Sequence, residues 1–264
     1  APEALAEAVA ADPGSVALVS VMWANNEVGT LQPVSDVVGL ARPHDIPVHV
    51  DAVQAVGQVP VDFAASGVDA LTTSGHKVGG PPGAGVLVLR RGVAATPVQH
   101  GGGQERGLRS GTIAVPLVRG LGVATELAVK EQTDLAARLT RLRDRLVREV
   151  LAAVPDAVLR GDPDPAGRLP GNAHLTFAGC EGDSLLYLLD AQGVECSTGS
   201  ACQAGVPRAS HVLLAMGMDP DEARGALRCS LGWNSTDQDG AAVAAASGPA
   251  VHRARTAGIS SRAS

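Results

Sequence analysis

Short apolar runs alternate with helix-periodic stretches through the first half of the chain. The segments VALVSVM (16–22), IPVHV (46–50), DALTTS (69–74) and AGVLVL (84–89) have the length and β-branched content of strands. Helical periodicity fills the opening residues, Val34 to Arg42 and a short stretch near Phe63. Strands alternating with helices predict an α/β domain whose sheet is mainly parallel and covered on both faces. Ligand chemistry in such sheets collects in loops beyond the carboxyl ends of the strands. Three polar clusters fall at those ends: Asn25, Asn26 and Glu27; Asp51 with Gln54; and Ser74, His76 and Lys77.

The second half changes character at Asp134, where Leu135, Leu139, Leu142, Leu146 and Val150 recur at three-to-four spacing with arginines between them. That spacing predicts a core-facing connector helix. Lys130, just before it, reads as part of a solvated helical face. A smaller α+β domain follows, with strands at AHLTF (173–177) and ALRCSLGW (226–233). Helices are expected at DSLLYLLDAQG (183–193), His211 to Met216, Asp221 to Gly225 and the alanine-rich end. The predicted division is a large domain over 1–130, and the connector helix with the small C-terminal domain over 131–264.

Composition narrows the classes. The 264 residues, 45% hydrophobic and 18% charged, suffice for one large or two smaller globular domains. A net charge of −6 without any basic stretch carrying interleaved aromatics argues against direct nucleic-acid binding. No apolar run approaches the roughly 18 residues of a membrane helix. The opening APEALAEAVAADPG lacks the layout of a signal peptide, so the expectation is a cytoplasmic protein without a membrane partner. The cysteines, Cys180, Cys196, Cys202 and Cys229, show neither CxxC spacing nor disulfide-scaffold density, and no metal site is expected.

Of the 21 basic residues only Lys77 and Lys130 are lysines. Arginine serves as well as lysine for a surface charge, but it does not deprotonate and forms no imine with an aldehyde. Lys77, in a loop of small residues after a strand, is the better Schiff-base candidate. Pyridoxal phosphate requires a lysine, a carboxylate on its ring nitrogen, contacts to its ring oxygen and a phosphate cradle. Lys77, Asp51, Asn26 with Gln54, and Ser74 with His76 can supply these in turn. Each has a plain loop or cap reading in isolation, whereas three coordinated strand ends favour a site. His49 reads as packed within its strand. The glycine-rich HGGGQERGLRSGT (100–112) offers free amides and arginines to an anion.

The segments NNE, HVDAVQAVG, SGHKVGGPPGAG, HGGGQERGLRSGT, STGSAC and LRCSLG occur in that order. Together they resemble cysteine desulfurases of the class V aminotransferase superfamily, the iron–sulfur-assembly type, over nearly the whole chain. The resemblance implies a pyridoxal-phosphate-dependent transferase of fold type I, with 1–130 as part of the cofactor-binding large domain. It implies that Lys77 carries the cofactor, Asp51 pairs with the ring nitrogen, Asn26 and Gln54 contact the ring, and Ser74 and His76 bind phosphate. Thr112 corresponds to a residue reaching the phosphate of a neighbouring subunit, which implies a homodimer. Arg228, with Asn26, is the implied substrate site, its planar fork suited to a carboxylate.

By the same resemblance Cys202 is the sulfur-accepting nucleophile, on a loop of small polar residues that can expose its sulfur. Cys180, Cys196 and Cys229 keep a structural reading. The implied reaction converts L-cysteine to L-alanine and leaves a persulfide on Cys202. The sulfur then passes to an acceptor protein, an iron–sulfur scaffold or a tRNA-thiolation enzyme. Competing readings are another class V aminotransferase, a selenocysteine lyase, or a catalytically incomplete remnant that dimerises or binds a partner. STGSAC favours the desulfurase, because plain transamination needs no mobile cysteine. Family members begin with a further segment bearing a Gly-Ala-Thr phosphate loop and a ring-stacking histidine. This chain opens without Met and without either feature, so a truncated product is expected.

Overall fold

A computed structural model describes residues 2–199 and 209–262, with side chains as far as 257. The chain divides into two compact units, Ala1–Ala24 with Gln32–Thr133 and Asn25–Leu31 with Asp134–Ser264.

In the first unit, strands β1 (Val19–Met22), β2 (Val48–Asp51), β3 (Ala70–Ser74) and β4 (Gly85–Leu89) form one sheet in that order. The first three run parallel, with Val19 opposite Val48 and Asp51 opposite Thr72, and β4 returns antiparallel to β3. Helices α1 (Pro2–Ala11) and α2 (Val34–Ala41) precede β1 and β2, and α3 (Phe63–Ser66) precedes β3. Asp62 caps α3 by accepting a hydrogen bond from Ala65 N at 2.9 Å, which satisfies an otherwise orphaned helix amide. Val19, Val48 and Val50 bury one face of β1 and β2 against Val9 of α1 and Val34, Val37 and Val38 of α2.

The sequence predicts apolar cover on both faces, but β2 alternates instead. Val48 and Val50 are buried, whereas His49 and Asp51 are half-buried on the opposite side. The period-two pattern of VHVD is the physical reason, since a polar residue at every second position leaves one face polar.

Helix α4 (Val115–Ala153) begins in the first unit and ends in the second, well before the Asp134 start predicted. The early half carries no continuous buried stripe. Leu121 is buried, but Val115, Val118, Leu127 and Val129 are exposed, and Gly120 and Gly122 lower the local helix propensity. Lys130 is therefore inside the helix, exposed as expected.

The second unit holds an antiparallel sheet of β5 (Val158–Leu159), β6 (Asn172–Thr176) and β7 (Ala226–Ser230). Around it lie α5 (Gly182–Asp190), α6 (His211–Ala215), α7 (Pro220–Arg224) and α8 (Asp237–Arg262). Its core joins Leu146 and Val150 of α4, Leu175 of β6, Leu185 and Leu189 of α5, Leu227 of β7 and Val251 of α8. The short segment Asn25–Leu31 belongs here because its backbone is bonded to this unit. Leu31 N donates to Gly167 O and Leu169 N to Gly29 O, both at 2.8 Å.

Leu146 is fully buried, so Leu146→Ala removes packing that α4 supplies to this core. The expected loss is about 2–5 kcal/mol, seen as a fall of roughly 5–15 °C in the thermal midpoint by circular dichroism. A fall under one degree would show that this stripe of α4 carries no core.

Candidate functional site

The first unit gathers its polar residues along one edge of the sheet. Trp23 N donates to Asp51 O at 2.8 Å and Ala52 N to Thr72 O at 2.9 Å, so the parallel ladder runs on just past β1 and β2, while β3 continues two residues further to Ser74. Asp51 closes β2, and its Oδ1 accepts from Val53 N at 2.9 Å, a local turn that fixes the carboxyl group beside the strand end. Gln54 is half-buried in the turn that follows.

One strand over, β3 ends at Ser74 and passes into a tight 3₁₀ turn, Gly75–Lys77. A Cβ on Gly75 would come within 2.8 Å of Pro81 O, so only glycine lets the chain fold back this closely. The turn leaves His76 and Lys77 exposed and sets Ser74 Oγ 2.7 Å from His76 Nδ1. Asp51, Ser74, His76 and Lys77 thus occupy the ends of adjacent strands. His49 lies within its strand, half-buried and bonded sideways. Its Nδ1 lies 2.8 Å from Ser20 Oγ and its Nε2 3.1 Å from Thr72 Oγ1, spanning the strands on both sides.

The glycine-rich loop departs from expectation. Its amides were expected free for an anion, but Gly111 N donates to Gln104 Oε1 at 2.9 Å, and Gly107 N to Gly103 O and Gln104 O. Gln104 and the loop's own carbonyls thus compete successfully for these donors. Thr112 is exposed at its end.

The second unit contributes Asn26 and Arg228. Arg228, in β7, donates from Nη1 to Asn26 O at 2.8 Å, and its buried Nε has no partner among the described residues. One edge of the guanidinium is held, and the buried Nε keeps an unmet hydrogen bond among the described residues.

Beside it lies a cluster that sequence reasoning did not assemble. Glu27 is 2% exposed and accepts a hydrogen bond from Ser210 Oγ at 2.5 Å, while Ser210 also caps α6 by accepting from Leu213 N at 3.2 Å. His174 is the cross-strand neighbour of Arg228 and is wholly buried, with neither ring nitrogen bonded among the described residues. Gly199, at φ +93°, passes over both, and a Cβ there would lie 3.2 Å from His174 Nε2 and 3.3 Å from Glu27 Oε2. The only trace in the sequence is a histidine inside the apolar run AHLTF, which by pattern alone reads as an ordinary core residue.

Burial pushes the thiols of Cys180, Cys196 and Cys229 upward, Cys196 to about 11 and Cys229 to about 12. Such thiols stay protonated at neutral pH, in keeping with structural roles. Cys202 lies outside the described residues.

Comparison with known proteins gives these placements a context. A family model described as aminotransferase class-V matches residues 4–243. The IscS-like cysteine desulfurase of Mycobacterium tuberculosis is 56% identical over 244 residues, covering 92% of this chain and 62% of the relative. The cysteine desulfurase IscS of Methanosarcina thermophila is 46% identical over 222 residues, covering 84% of this chain and 54% of the relative. Among solved structures, a NifS-like protein aligns with a TM-score of 0.85 at 36% identity, over 96% of this chain and 65% of that one. The NifS-like protein of Rickettsia africae aligns at 0.86 and 30% identity, over 96% and 66%. The chain thus spans about half to two thirds of the length of these relatives. The α/β, fold type I expectation is borne out by these neighbours.

His174 makes the second unit sensitive to acid. Burial first, then the charges of Arg228, Arg160 and Arg168, lower its pKa from 6.5 to about 4. Between those values the unfolded chain binds the proton and the folded chain does not. Stability is therefore complete above pH 6.5 and declines as the pH falls toward 4. At about 1.4 kcal/mol per pH unit the loss totals about 3 kcal/mol. Urea midpoints measured from pH 7 to pH 4 should fall accordingly, and His174→Asn should flatten most of that slope. An unchanged slope in the variant would mean that other groups govern it.

Proposed function

The chain belongs to the class-V aminotransferase family, and from that premise we propose that it is the cofactor- and substrate-binding part of a pyridoxal-phosphate-dependent cysteine desulfurase. It takes sulfur from L-cysteine, releases L-alanine and passes the sulfur to an acceptor protein for iron–sulfur cluster assembly or tRNA thiolation. The observation that carries this reading is the turn after β3, which presents Lys77 beside the Ser74–His76 pair, one strand from Asp51.

These residues fit the cofactor. Asp51 spends Oδ1 on Val53 N, and its Oδ2, unbonded among the described residues, suits a ring N–H. Ser74 and His76 supply a hydroxyl and an imidazole suited to phosphate oxygens, brought together by the turn at Gly75. When bound, the group supplies an aldehyde for a lysine and a ring that withdraws electrons from the substrate's α-carbon.

Lys77 would be the attachment point, and its Nζ would serve as the base for the substrate's α-proton. Asp51 keeps the ring nitrogen protonated, and Gln54 and Asn26 hydrogen-bond the ring oxygen. Arg228 takes the substrate carboxylate on the edge of its guanidinium that Asn26 O leaves unoccupied, a charge-assisted fork. The Cys202 thiolate attacks the substrate sulfur and retains it as a persulfide. Thr112 reaches the phosphate of the neighbouring subunit in a homodimer.

Borohydride reduction in the presence of pyridoxal phosphate, followed by peptide mapping, tests the assignment. The pyridoxyl label is expected on Lys77. Lys77→Arg should lose nearly all of it although the charge is kept, and Lys130→Arg should lose none. Label on Lys130 would overturn the assignment.

A further inference from the structure

Cys196 and Cys229 face each other across two antiparallel backbones in the second unit. Ser197 and Arg228 form an antiparallel bridge and exchange both hydrogen bonds, Ser197 N to Arg228 O at 3.1 Å and Arg228 N to Ser197 O at 2.6 Å. One step along, Cys196 and Cys229 therefore occupy a non-hydrogen-bonded position. Antiparallel strands bring Cα atoms to about 4.5 Å at such positions, with the side chains at their closest. A disulfide requires Cα atoms about 4.4–6.8 Å apart and side chains on the same side.

Both conditions are met by this register. Cys229 lies in the core with Leu227, on the opposite side of β7 from Arg228, and Cys196 packs against that same core. After burial, the nearby Cys196 is the second cause that pushes the Cys229 thiol upward. Cys180 is differently engaged, its Sγ directed at Val251 O.

We propose that Cys196 and Cys229 are a redox-responsive pair that closes to an intramolecular disulfide when a small-molecule disulfide such as oxidised glutathione accumulates. Cys196, the less buried thiol, loses its proton and attacks one glutathione sulfur, releasing the first glutathione thiolate. Cys229 then loses its proton and attacks Cys196 Sγ, releasing the second. Two protein thiols give up two electrons, one glutathione disulfide takes them, and the two protons end on the released glutathione. Because burial keeps both thiols protonated at neutral pH, closure is slow. The bridge would tie the residues leading to position 199 to the strand that carries Arg228. The inference rests on backbone register and stands independently of the functional reading above.

The test is to incubate the chain overnight with oxidised glutathione, block remaining thiols with iodoacetamide, digest with Glu-C and trypsin, and analyse without reduction. A Cys180→Ala/Cys202→Ser form leaves only the pair. Its main product should join the Cys196 and Cys229 peptides, reverse with dithiothreitol and raise the thermal midpoint by several degrees through loop closure. In the otherwise unaltered chain, Cys196→Ser and Cys229→Ser should each abolish the joined peptide. The proposal is overturned if Cys229 pairs preferentially with Cys180 or Cys202. It is equally overturned if Cys196 and Cys229 are recovered only as separate alkylated or glutathionylated residues.

Discussion

Parallel pairing carried one residue past the strand ends governs the first unit. The bonds from Trp23 N to Asp51 O and from Ala52 N to Thr72 O lock β1, β2 and β3 in register, with β3 running two residues past the ends of the other two. A slip of one residue in this ladder would turn Val48 and Val50 out of the core and His49 and Asp51 into it. The apolar contacts with α1 and α2 forbid that slip, so the burial that stabilises the unit also aims Asp51. The same register sets where β3 gives way to the Gly75–Lys77 turn. Core packing and site geometry are two results of one register.

The second unit meets a different constraint, the burial of charged and polar groups beside one another. Glu27, His174 and Arg228 converge there, and a buried ionisable group without partners is costly. The structure offsets this partly with Ser210 on Glu27 and the Asn26 carbonyl on Arg228. His174 meets it by remaining neutral, since desolvation and the nearby guanidinium groups both resist a second positive charge. Groups held this tightly serve position more readily than motion. The segment Asn25–Leu31 supplies Glu27 and the Asn26 carbonyl together, which accounts for its backbone being stitched to Gly167 and Leu169.

Much of this was legible in the sequence, and the failures have identifiable causes. The strands of the first unit announce themselves as short valine-rich runs, and Asp51, Ser74 and Lys77 follow from counting forward to their ends. The early half of α4 was hidden because its apolar residues are spread around the helix rather than gathered in a stripe. The partners of His49 were hidden because strand propensity says nothing about hydroxyls on neighbouring strands, and Ser20 and Thr72 lie 29 and 23 residues away in sequence. The Glu27–Ser210 bond spans 183 residues, a separation at which no local pattern carries information. Gln104 shows a further limit: glycine content reveals where amides are accessible, but not whether a nearby side chain has already claimed them.

The two lysines show how place separates residues of the same chemistry. Both are exposed, so solvent access does not distinguish them. Lys130 stands within a regular helix, with Glu126 and Asp134 one turn to either side, where its charge is complemented by the helix surface. Lys77 stands at the close of a turn, next in the chain to the imidazole that meets Ser74 Oγ, with a carboxylate at the end of the adjoining strand. A helix surface offers an ammonium nothing but screening. This strand-end turn gathers a hydroxyl, an imidazole and a lysine within four successive residues. In a chain that otherwise relies on arginine for its positive charge, retaining a lysine at that turn is consistent with a need for an amine rather than for a charge.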